Sequence, residues 1–257
     1  MNPAALAEKI RAAAVEVLAD RGLDSTVLPE SVDLRRPQDP AHGDFATTLP
    51  LRLGSRIGVP AHDLARWLAD ALAEGDEIDS AEAAGPGFVN LHLTKETLTG
   101  VVADIEAAGG SYGARPHVPG AWQEVDADLR KRRIWDNPVF VVRYAHARIC
   151  RVVDNSVKFG MDPAGADLGL LTHAREGTVI RVLGEFEEVA ADRVARYLER
   201  LADALHGWYD SPECRILPKG DEEVAAEHLA RLRLSGAVRQ VLANGLETLG
   251  VSAPERM

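Results

Sequence analysis

A stretch rich in glycine, proline and charge, running from Gly109 to Pro138, divides the chain into two segments with different periodicities. Glycine and proline interrupt helices and strands alike, so this composition reads as a junction between folding units. The 257 residues suffice for two modest domains. Before the junction, Leu6, Ile10, Ala14, Val17 and Leu18 recur at helical spacing and predict a helix over residues 4–21, ending at Gly22. A second helix is predicted over residues 61–73 from Leu64, Trp67, Leu68, Ala71 and Leu72. Between the two, Pro29, Pro37, Pro40 and Gly43 punctuate short apolar pieces suited to strands and turns. After Gly85-Pro86-Gly87, residues Phe88 to Leu93 alternate as a half-buried strand does, with Phe88, Asn90 and His92 on one face. Helices flanking a few short strands predict a small α+β domain.

Beyond the junction the pattern is helical almost throughout. Asn137 is a suitable cap, Pro138 fits a first helical turn, and the chain then runs without a breaker to Gly160. Val142, Ala145, Ile149, Val152 and Val153 fall on one face of this helix. Tyr144, Arg148, Arg151 and Asn155 line the other at spacings of four, three and four. Further helices are expected at roughly 164–176, 178–190, 191–210 and 222–249. The expected architecture is thus an α+β N-terminal domain (residues 1–114), a linker (115–136) and an all-α helical-bundle C-terminal domain (137–257).

The net charge of −11 weighs against a binder of nucleic acid with an overall basic surface, but the charge is uneven. Residues 1–115 hold 10 Lys and Arg against 18 Asp and Glu, while residues 116–257 hold 19 against 22. The nearly balanced second half is the better candidate for an anionic partner. Its helix face combines the planar fork of Arg with the ring of Tyr, which suits an unstacked base and its phosphates; the alternative is a solvated face paired with acidic neighbours. Phe88 and Asn90 share a strand face and form an aromatic plate beside an amide, or else a core edge beside a surface amide. The basic run Arg130, Lys131, Arg132 and Arg133 is either a set of phosphate contacts or a solvated patch.

Catalytic chemistry is not evident. There is no phosphate-cradling glycine loop, and the eight histidines lack metal-ligand spacing. Cys150 and Cys214 are too few for a disulfide framework, and Cys150 sits among core residues. Asp126 with Asp128, or Glu187 with Glu188, read as solvated carboxylates. No apolar run approaches the ~18 residues of a membrane span. Charges at Glu8, Lys9, Arg11 and Glu16 do not suit a secretory leader. A reduced cytoplasmic protein without cofactor or metal is expected.

Several longer motifs add a resemblance. NPVFVVRYAHARIC, LADALHGWYDSPECRIL and AVRQVLANGLETLGVSAPERM resemble the C-terminal, DALR-type anticodon-binding domain of arginyl-tRNA synthetases. RPQDPAHGDFAT and AAGPGFVNLHL are similar to the family's N-terminal additional domain, which contacts the tRNA elbow. In the family a class I catalytic domain with HIGH-type and KMSKS-like signatures lies between these modules. Here SYGAR is followed after some ten residues by VDADL, and neither signature occurs. The Ala41-His42-Gly43-Asp44 lookalike belongs to the N-domain motif. A βαβ unit alone needs ~30 residues, so an arginyl-tRNA synthetase-like chain without its catalytic domain is expected. The resemblance implies that Tyr144, Arg148 and the C-terminal Met257 hold the anticodon loop, and that Phe88 and Asn90 meet a D-loop base. Arg151 and Asn155 extend the anticodon face by geometry. Pro50 shortly after the HGDFATT motif shortens the helix that starts there.

The implied function is non-catalytic tRNA binding, with tRNA-Arg as partner and neither DNA nor membrane. One alternative is an accessory subunit that delivers tRNA or arginyl-tRNA to a separate arginyl-tRNA-using enzyme. Another is a protein-interaction module that has lost RNA binding.

Overall fold

A computed structural model describes residues 3–37, 39–118, 122 and 132–257, and divides into two compact units, Met1–Leu98 and Thr99–Met257. In the first unit, helix α1 (Pro3–Ala19) buries the predicted stripe of Leu6, Ile10, Ala14, Val17 and Leu18. Four short strands follow the α+β expectation: β1 (Leu34–Arg35), β2 (Phe45–Thr47), β3 (Ile78–Ala84) and β4 (Phe88–Leu93). They form an antiparallel sheet in the order β1-β2-β4-β3. Helices α2 (Leu49–Ile57) and α3 (Ala61–Ala73) lie between β2 and β3 in sequence. Pro50 sits in the first turn of α2, a nine-residue helix closed by Gly58 in the left-handed conformation. Strand β3, IDSAEAA, was not apparent from the sequence because after Ile78 it has none of the β-branched and aromatic residues that mark strands.

The HGD motif has a structural task. Gly43 adopts a φ of +93°, and a Cβ there would come within 2.5 Å of the Leu91 carbonyl oxygen, so only glycine permits this approach to β4. The amide of Asp44 donates to that same carbonyl at 2.8 Å, and its side chain accepts from the Leu93 amide at 3.1 Å. The motif thereby fastens β2 to β4. Along β4, Val89, Leu91 and Leu93 are buried while Phe88, Asn90 and His92 are half-buried, the alternation expected from the sequence.

Helix α4 (Lys95–Ala108) leads into the second unit. That unit contains α5 (Pro138–Ser156), α6 (Ala174–Leu183), α7 (Val194–Tyr209) and α8 (Ala226–Thr248). Residues 164–176 are not the helix predicted there: Asp167 accepts from the Gly169 amide and starts a single 3-10 turn, Leu168–Leu170, and α6 begins only after His173. His173 and Glu176 cap α6 reciprocally. Likewise the predicted helix 178–190 ends at Leu183, and a 3-10 turn at Phe186–Glu188 replaces its second half.

The compact units divide ahead of the junction read from the sequence. Residues 109–118 and Trp122 are bound to the helical unit. The Asn244 amide donates to the Gly109 and Tyr112 carbonyls, each at 3.0 Å. Arg115 lies 4.5 Å over the Phe186 ring and donates to the Phe186 and Val189 carbonyls. The Val118 amide donates to the Thr248 carbonyl at 2.9 Å, and the Trp122 indole donates to Glu199 at 2.6 Å. Residues 109–118 and Trp122 thus form a strap held to the helical unit by these bonds.

Replacing Asn244 by alanine strands two strap carbonyls without replacing their donor. We expect a loss of about 1–3 kcal/mol in urea denaturation. A change under about 0.5 kcal/mol, the ordinary scatter of surface substitutions, would contradict the strap's dependence on this amide.

Candidate RNA-binding surface

Helix α5 forms as the sequence predicts. The Asn137 side chain accepts from the Val139 amide at 3.1 Å, Pro138 occupies the first turn, and the helix runs nineteen residues from Pro138 to Ser156. Val142, Ala145, Ile149 and Val152 are buried and Val153 is half-buried. On the opposite side Tyr144, Arg148 and Asn155 are half-buried and Arg151 is exposed.

Helix α7 supplies neighbours that the sequence reading did not single out. Its buried face, from Val194 through Leu201 to Trp208, turns His206, Tyr209 and Asp210 toward Arg148. The Arg148 guanidinium lies 3.7 Å over the Tyr209 ring, and its two terminal nitrogens donate to Asp210 Oδ1 at 2.5 Å and His206 Nδ1 at 3.1 Å. A guanidinium only donates, so His206 Nδ1 accepts and the ring is neutral. Burial first, and then the Arg148 charge, hold the His206 pKa below its ordinary value. The fork and one face of Arg148 are therefore committed to α7.

Tyr144 joins an aromatic group. Its ring stacks on Phe140 at 5.6 Å and on His206 at 5.8 Å, while Trp135 meets Phe140, Tyr144 and His206 edge-on at 6.2, 5.6 and 5.4 Å. The signal for these partners was present: His206, Tyr209 and Asp210 share one helix flank by their spacing of three and four.

The Asn155 side chain accepts from Lys158 Nζ at 2.7 Å, and Arg151 is the exposed member of the α5 stripe. At the other end the chain's last residues follow α5. Arg143 donates to the Ser252 carbonyl and hydroxyl at 3.3 and 3.2 Å, and His146 Nδ1 donates to the Pro254 carbonyl at 2.9 Å. Met257, three residues on, is half-buried. Arg132 and Arg133 are exposed, whereas Arg130, Lys131, Asp126 and Asp128 lie outside the described residues. In the other unit, Asn90 stands between Ala46 and Glu82 in register, with Arg35 completing the row, and Phe88 opposes Ala84.

No arrangement for nucleophilic or metal chemistry emerges among the described residues. Cys150 is buried, and burial raises its thiol pKa, the opposite of activation; the same holds for Cys214. No group of three or more His, Cys, Asp or Glu is placed to hold a metal ion among the described residues.

Three histidines carry depressed pKa values, with burial the leading cause in each: His146, His206 and His228. His228 Nδ1 accepts the Ala225 amide at 3.1 Å at the head of α8, so it too is neutral. A folded-state pKa below the ordinary ~6.5 means that the unfolded chain takes up protons first as pH falls. Stability from these groups is complete above about pH 6.5 and declines as pH falls toward the folded values. Thermal melts should show the midpoint falling from about pH 7.5 to about pH 5, with a shallower fall in His228→Gln; a flat profile over that window would contradict it.

Comparison with known proteins places both parts of the chain in known families. Residues 2–93 match the family model of the arginyl-tRNA synthetase N-terminal domain, and residues 142–257 match that of the DALR anticodon-binding domain. The arginine–tRNA ligase of Clavibacter sepedonicus is 39% identical over 212 residues, covering 79% of this chain and 36% of the ligase. The chain thus spans about a third of the length of that relative. Residues 94–141 lie between the two matched domains. With both flanking domains of the synthetase recognisable, one on each side of that short interval, the chain belongs to the arginyl-tRNA synthetase-like proteins.

Proposed function

We propose that this protein binds tRNA without charging it, with a preference for tRNA-Arg. The observation that carries the reading is the Tyr144–Arg148 face of a matched DALR domain, where aromatic rings and arginines converge on one side of α5. The anticodon loop lies along Tyr144, Arg148, Arg151 and Asn155, with Met257 beside them. The aromatic group around Tyr144 suits contact with an unpaired base, and exposed Arg151 suits a phosphate. Arg148 acts from behind: with its fork on Asp210 and His206, it holds Tyr209 in place. Phe88 and Asn90 on the open sheet face meet a base of the D-loop. Two weak contacts on one tRNA raise each other's effective concentration.

Absence of charging rests on the interval between the matched domains. Residues 94–141 include all of α4, the strap residues 109–118 with Trp122, and the start of α5, leaving too little chain for a nucleotide-binding unit of ~30 residues. The cytoplasm, where tRNA circulates, is the matching compartment.

A binding titration should find tRNA-Arg bound more tightly than an unrelated tRNA, and less tightly as salt rises. Arg151→Ala should reduce the slope of log affinity against log salt by about 0.7–0.9, one phosphate's worth. Arg148→Ala should weaken binding with little change in slope, as befits a residue that positions others. Equal affinity for both tRNAs would overturn the preference. An assay with ATP, arginine and tRNA should yield no arginyl-tRNA, and product formation would overturn the non-catalytic reading.

A further inference from the structure

Trp135 lies outside the residues matched to either family domain. At 62% exposure it is the most exposed large aromatic side chain among the described residues. Its position is nevertheless well defined. The ring meets three others edge-on, and the turn that carries it is tied down from within. Asn137, 1% exposed, donates its side-chain amide to the Arg132 carbonyl at 2.6 Å and its backbone amide to the Ile134 carbonyl at 3.0 Å. The same side chain caps α5 through the Val139 amide. A fixed indole left mostly in water contributes little to folding by burial, because it retains most of its apolar surface.

Its neighbours indicate what covers it. Arg132 and Arg133 are exposed three and two residues before Trp135; Asp136 follows it, and of the two exposed carboxylates that face His206, Asp203 and Asp210, the latter is paired with Arg148. A protein partner anchored by an exposed tryptophan is expected to meet an apolar surround. A held aromatic ring flanked by exposed guanidinium groups instead suits a single strand, which offers a π-face to the ring and phosphates to the arginines.

We propose that Trp135 is a stacking platform for an unpaired nucleobase at the edge of the α5–α7 surface, with Arg132 and Arg133 holding the adjoining phosphates. The proposal rests on the RNA-binding reading above and enlarges its footprint toward the turn before α5. Tyr144 stands behind the platform, so a base on Trp135 and a base near Tyr144 belong to one loop.

The test uses the full chain with an RNA hairpin carrying an unpaired loop, and a fully paired duplex with the same stem. Labelled-RNA anisotropy gives affinity and tryptophan emission gives stacking. Trp135→Ala should weaken hairpin binding about tenfold or more, and Trp135→Phe should restore most of it. Hairpin addition should quench the wild-type emission, and this quench should vanish in Trp135→Phe even if the alanine variant proves unstable. The double variant Arg132→Ala, Arg133→Ala should lower the salt slope by about 1.4, two single-strand phosphates. If Trp135→Ala binds the hairpin within about twofold of wild type, or the quench persists without Trp135, the platform is wrong and RNA binding stands. If the wild type does not distinguish hairpin from duplex, both readings fall.

Discussion

The placement of α5 depends on the close packing of α8 against the other helices of its unit. Helix α8 is buried at thirteen positions along its 23 residues and packs against α5, α6 and α7. At Gly245 a Cβ would approach Leu198 of α7 to 2.5 Å, so the missing side chain sets the distance between the two helices. Polar contacts fix its rotation. Arg231 donates to the fully buried carboxylate of Glu176 at 2.7 Å, and Arg233 donates to Glu106 and to the Ala166 carbonyl. A buried ion pair contributes little net stability against an apolar substitute, but losing one partner costs about 3–5 kcal/mol. Such pairs discriminate strongly against a rotated α8.

Around that helix the unit builds a local surface at odds with the charge of the whole chain. An acidic protein with a net charge of −11 has little long-range attraction for RNA, so the proposed binding would depend on contacts made at short distance. The α5–α7 face is suited to this. His206 is neutral, and the positive charge of Arg148 is matched by Asp210, leaving rings as the main chemistry at its centre. Exposed arginines lie instead toward the rim, at Arg132, Arg133 and Arg151. An aromatic centre with a cationic rim favours flexible, unpaired nucleotides over a duplex, whose bases are already stacked.

Periodicity carried the larger elements. Helices α1, α3 and α5 and the alternation of β4 were evident because each has a long regular stripe against a single apolar core. Strand β3 was not, since a run of Ala, Ser, Asp and Glu is strand only by virtue of pairing with β4. The segment at 164–176 failed for a related reason: the Asp167 side chain offers the backbone a turn that competes with helix, an effect invisible to hydrophobic spacing. At the site, Tyr144 and Arg148 emerged from one helix's wheel. Their partners on α7 required knowing which flank of a second helix is turned toward the first, which is a tertiary fact. Trp135 was obscured by the composition of the junction in which it sits.

The dual use of Asn137 has a kinetic consequence. Because one amide side chain both starts α5 and closes the turn bearing Trp135, the aromatic surface is assembled in the same event as the helix rather than when a ligand arrives. The entropy of ordering that turn is then lost on folding, and encounter with RNA requires no loop closure. If the proposed RNA is the ligand, such preorganisation makes sequence changes in it register chiefly in residence time, while the rate of capture stays governed by diffusion and the arginine rim.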